Sequence, residues 1–82
     1  MESSDARPLA DLASYRRIPY LLVVETVLRD GQWRRRATHP ELPGCAAEAE
    51  SAVEAIEALA RERTRVLDEH WRRGEPIPVP RP

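Results

Sequence analysis

The stretch from Ser51 to Gly74 constrains the fold more than any other part of this chain. It opens with Ser51-Ala52-Val53-Glu54, a capping box in which a Ser N-cap is followed three residues later by Glu. Apolar positions then recur at Val53, Ile56, Leu59 and Ala60, and again at Val66, Leu67, His70 and Trp71, close to the helical period. Glu57–Arg61, Asp68–Arg72 and Glu69–Arg73 are spaced i, i+4 with the acid first, the favourable order. Arg72 and Arg73 fall where the helix dipole welcomes cations, Gly74 supplies a left-handed stop, and Pro76 bars continuation. In a chain of 82 residues, a helix this long must bury its stripe against a small sheet, because no second long helical pattern is present.

The sheet is legible upstream. Ile18 to Leu28 is rich in Val, Leu and Tyr and reads as a strand. Alternation puts Tyr20, Leu22, Val24, Thr26 and Leu28 on one face and Leu21, Val23, Glu25 and Val27 on the other. Both faces are largely apolar, so the strand is expected to be covered on both sides or to lie in an oligomer interface. Asp30-Gly31 predicts a tight hairpin turn with positive φ. The return strand runs from Trp33 to about Thr38 and holds Arg34, Arg35 and Arg36 in succession. Three consecutive Arg predict an edge position, where long charged side chains block self-pairing. His39-Pro40-Glu41-Leu42-Pro43-Gly44 then reads as a turn, with Cys45 to Glu48 as a short third strand. The expected fold class is α+β: a small antiparallel sheet of about three strands with one long helix on one face. Residues 1–17, with Pro8 able to open a helical turn, read as an N-terminal arm without fixed structure, 18–74 as the folded domain, and 75–82 as an extended Pro-rich tail. Ile77 and Val79 could pack that tail on the sheet edge; the alternative is a P-x-x-P recognition ligand.

Composition narrows the function classes. Hydrophobic residues make up 41% and charged residues 33%, the longest apolar run is Tyr20 to Val24, and the first residues are acidic and polar. The reading is therefore one small domain with no membrane span and no secretory leader. The single cysteine, Cys45, points to a reducing cytoplasm and to a small buried filler rather than a nucleophile. The net charge is -1 and every basic residue is Arg. That balance gives no electrostatic case for non-specific nucleic-acid binding by the whole chain. His39 and His70 are the only histidines; His39 reads as exposed in a turn and His70 as packed at the core rim. No metal-ligand spacing, Cys-x-x-Cys pair or Gly-rich loop is present, so no cofactor and no metal site is expected. Trp33 beside Arg34, Arg35 and Arg36 offers an RNA-binding alternative, basic groups with a stacking aromatic.

The order of these signals resembles the HicB-type antitoxin family of toxin–antitoxin systems. The resemblance rests on Pro40-Glu41-Leu42-Pro43-Gly44-Cys45, on the helix start Ser51-Ala52-Val53-Glu54-Ala55, and on the ending Gly74-Glu75-Pro76-Ile77-Pro78. Pro40, Leu42, Pro43, Gly44, Cys45, Ser51 and Gly74 are its structural residues. Where the family has Gly-Asp-Thr before the helix, this chain has Ala49-Glu50-Ser51, which keeps the acid and the cap. The resemblance implies a partial ribonuclease-H-like fold without the chemistry, since the first strand offers only Glu25 where that activity needs several metal-binding carboxylates. It implies a non-enzymatic antitoxin, or an orphan relative, that neutralises a small basic ribonuclease toxin of the HicA type. Trp33, Arg35, His39, Glu41, Glu50 and Glu54 are the candidate partner-binding residues; Glu41, Glu48, Glu50, Glu54 and Glu57, with no basic residue between them, form an acidic stretch suited to a basic partner. Family members usually continue into a DNA-binding module beyond the position of Pro82, so DNA binding is not expected here. A homodimer or higher homo-oligomer is expected from the small core and the two-faced first strand, and a scaffold without a toxin partner is the remaining alternative.

Overall fold

The computed structural model describes residues 17–80. The reading of residues 1–16 as an arm, and the last two residues of the tail, lie outside them. The described chain forms three strands and one helix: β1 (Val23–Arg29), β2 (Gln32–Thr38), β3 (Ala46–Ala49) and α1 (Ala52–Arg73). The sheet is antiparallel throughout, in the order β1-β2-β3. This is the α+β arrangement that the sequence predicts.

The hairpin turn is as expected. Asp30 and Gly31 both take positive φ, 50° and 79°, the signature of the two-residue turn whose twist matches its strands. The first strand, however, starts at Val23 rather than Ile18. Pro19 explains the difference, because it cannot donate to a ladder. The chain instead makes a three-residue turn around Pro19, with the Tyr20 amide donating to the Ile18 carbonyl at 3.0 Å.

The position of β2 corrects a second expectation. The Arg-rich strand is not at the edge but in the centre, paired with β1 on one side and β3 on the other. It tolerates that position because α1 covers only one face of the sheet. The pleat sends Arg34 and Arg36 to the open face, where long side chains remain solvated. On the covered face Ala37 is fully buried.

The helix is bounded as the sequence dictates. The Ser51 hydroxyl accepts from the Glu54 amide at 3.2 Å. At the other end Gly74 is left-handed, its amide donates to Trp71 O at 3.2 Å, and the Glu75 amide donates to His70 O at 2.9 Å. That pair of bonds is a Schellman cap. The buried face of α1 is Ala55, Leu59, Val66 and Leu67. Val53 and Ile56, read as core positions, are exposed instead, because α1 lies over β3 and β2 and turns Ala55 and Leu59 to them. On the solvent side of α1, Arg65 binds Glu62 and, at 3.1 Å, Glu69. The core is completed by Ile18, Tyr20, Ala37, Leu42 and Cys45, with Ile77 of the tail packed against it and Val79 exposed.

Candidate functional site

The loop between β2 and β3 is closed on itself. The His39 amide donates to Cys45 O at 3.2 Å, Leu42 N to His39 O at 2.9 Å, and Cys45 N to Leu42 O at 3.1 Å. Gly44 sits at φ 80°, where a side chain is strained. Pro40 and Pro43 are exposed while Leu42 and Cys45 point into the core. The loop thus folds as a plug: two proline-fixed corners outside, two apolar anchors inside. Burial pushes the Cys45 thiol above its ordinary pKa, helped by Glu62 and opposed by Arg63 and Arg65. A thiol held neutral in the core is a packing group, not a nucleophile.

His39 is a correction. It was expected at the surface and is only 7% exposed. Its Nδ1 lies 2.9 Å from the Leu21 carbonyl; a carbonyl can only accept, so Nδ1 carries the proton. Glu41 is likewise occupied locally, its carboxylate accepting from the Leu21 amide at 2.6 Å. Together His39 and Glu41 bind both backbone groups of Leu21. Arg63 of α1 donates to the Ile18 carbonyl, and its guanidinium lies 5.1 Å from the centre of the Tyr20 ring. The Tyr20 hydroxyl donates to Pro78 O. These contacts fasten residues 18–21 to the loop, the helix and the tail at once. Sequence reasoning missed this junction; Pro19, breaking the apolar run, was the available signal.

The remaining candidates divide between two surfaces. Glu50, Glu54 and Glu57 are exposed at the start of α1 and line a shallow depression together with Glu48, Arg34 and Arg61. On the open face of the sheet Arg29 donates to Glu48 through Nε at 3.1 Å and Nη2 at 2.7 Å. Arg34 and Arg36 each approach Glu48 to 4.0 Å. Trp33 and Arg35 lie on the other face, with Trp33 opposite Leu28 and Arg35 opposite Thr26. The pleat therefore separates the residues that the RNA-binding alternative needs on one surface. Ser51 and Gly74 act as caps, and the Ser51 hydroxyl also donates to the Glu54 carboxylate at 3.2 Å, which ties the cap to the acidic group.

Elsewhere on α1, the hydrogen bond from Arg65 holds the Glu62 carboxyl below the usual carboxylate range. Among the described residues no three His, Cys, Asp or Glu side chains gather as a metal set, and no helix is long and apolar enough to cross a membrane. Comparison with models of protein families, with curated proteins and with solved structures finds no match.

Proposed function

We propose that this chain is a non-catalytic antitoxin of the HicB type, or an orphan relative, that binds and neutralises a small basic ribonuclease. The observation that carries the reading is the Pro40–Cys45 plug, the part of the chain whose residues most resemble the family, set in a sheet-and-helix fold of the expected class. The exposed carboxylates Glu50, Glu54 and Glu57 in the depression support a basic partner, because complementary charge steers encounter and fixes register. Glu41 and His39 serve the partner indirectly, by bracing the plug, and the exposed corners Pro40 and Pro43 supply rigid contact surface.

Co-expression with a HicA-type ribonuclease encoded beside this chain tests the proposal. Growth is expected to be rescued and the two proteins to co-purify. Glu50→Gln and Glu57→Gln combined, which leave the Ser51–Glu54 cap in place, are expected to weaken the complex at least tenfold, an effect that fades at high salt, with circular dichroism reporting that the helix is retained. Toxicity that persists despite abundant folded antitoxin overturns the reading. RNA affinity at low salt, lost when Arg34, Arg35 and Arg36 are replaced, would favour the nucleic-acid alternative instead.

A further inference from the structure

Among the described residues β1 is an edge strand, and it lacks the Pro, Lys and bulge that commonly blunt an edge. Val23–Arg29 contains no Pro and no Lys, and its ladder with β2 runs through seven consecutive pairs without a bulge. Its hairpin end is apolar and exposed: Leu28 is 53% exposed, and its cross-strand neighbour Trp33 is 69% exposed on the same face. The hairpin fixes which backbone groups face outward. A two-residue turn is closed by a hydrogen-bonded pair, here Arg29 with Gln32. Alternation then turns the amides and carbonyls of Glu25, Val27 and Arg29 toward β2, and those of Val24, Thr26 and Leu28 to the free edge.

We infer that this edge pairs antiparallel with β1 of a second copy, about a two-fold axis through Val27, to give a continuous six-stranded sheet. Charge selects the register. An axis at Glu25 sets that carboxylate against itself, and an axis at Thr26 sets it against Val27. An axis at Val27 sets Glu25 opposite the second copy's Arg29, twice, with Val27 against Val27. The segment Glu25-Thr26-Val27-Leu28-Arg29 is self-complementary in that arrangement. Arg29 reaches inward across β2 to Glu48 of β3, so the pairing exchanges that exposed ion pair, which is worth little at a surface, for Glu25 of the second copy. On the opposite face, Thr26 meets Leu28 of the other copy, which brings the two Leu28–Trp33 patches together across the axis. Both helices then lie on one side of the sheet, and the acidic depression beside β3 stays at the outer ends, so this pairing is independent of toxin binding.

Sedimentation of the full chain at micromolar concentration tests the pairing, with hydrogen exchange as a second measurement. A dimer is expected, with the Thr26 and Leu28 amides protected in proportion to protein concentration. Glu25→Arg and Arg29→Glu are each expected to weaken self-association about tenfold or more, because both opposed pairs become like-charged. An equimolar mixture of the two variants is expected to dimerise again, since every opposed pair in the heterodimer is Arg with Glu. That recovery cannot come from a folding defect in either variant. A monomeric full chain, single variants that associate as the wild type does, or a mixture that stays monomeric overturns the inference. A monomer whose Thr26 and Leu28 amides are nevertheless protected would assign the edge to the chain's own residues 1–16.

Discussion

At the scale of single residues, the stability of this molecule is concentrated in a few side chains. Leu42, Leu59 and Leu67 are the largest fully buried ones. Leu67→Ala is expected to cost about 2–5 kcal/mol, read as a lowered urea midpoint with an unchanged slope. In a domain of this size, whose margin is small, the upper part of that range leaves much of the population unfolded. Cys45 gives a second residue-scale test. Its thiol pKa is raised by burial, so the folded state holds the proton more tightly than the unfolded state does. That contribution to stability is complete below the ordinary thiol pKa of about 8.5 and is lost as pH rises through the higher folded-state value. A thiol reagent such as DTNB at pH 8 is therefore expected to label native Cys45 at the rate of protein opening, and to label it at once in guanidinium. Rapid labelling of the native chain would contradict its place in the core.

At the scale of elements, the helix is specified from both ends. Ser51 satisfies one of the amides that a helix start leaves unpaired. Ser51→Ala is expected to lose about 0.5–2 kcal/mol, measured by denaturant unfolding, whereas Ser51→Asp should preserve most of the cap. The helix ends were legible because capping is local chemistry, carried by Ser51, Glu54 and Gly74 in a few consecutive positions. The helix face was less legible. Val53 and Ile56 fit the apolar period as well as Ala55 does, and only the placement of α1 over β3 and β2 leaves Val53 65% exposed. The strand order was misjudged for a related reason. Three consecutive Arg read as an edge only if both sheet faces must be dry; here one face is wet, and Glu48 gathers Arg29, Arg34 and Arg36 on it.

At the scale of the whole molecule, the described chain is held together where residues 18–21 meet loop, helix and tail. Arg63 links α1 to Ile18 and Tyr20, and Tyr20 links to Pro78. Arg63→Ala is expected to loosen this junction without dissolving the sheet. Amide exchange should accelerate at Ile18, Tyr20 and Ile77 while β2 and β3 keep their protection; uniform acceleration would show that the junction and the sheet unfold as one unit. The same organisation separates the two proposed surfaces, the free edge of β1 and the acidic depression at β3, to opposite sides of the sheet.

What the sequence by itself determined is what depends on near neighbours: the Asp30-Gly31 hairpin, the capped helix, the closed turn from His39 to Cys45, and hence the α+β class. Their causes are backbone preference, capping and short-range periodicity, all of which act over a few residues. The tertiary structure alone decided which strand is central, that His39 and Glu41 are spent on Leu21, and that β1 is an edge strand among the described residues. Those outcomes depend on where one helix lies over three strands. A helix covering two strands dries one face there, leaves the other face to charge, and leaves the third strand's exposed edge and apolar side chains for another surface to meet.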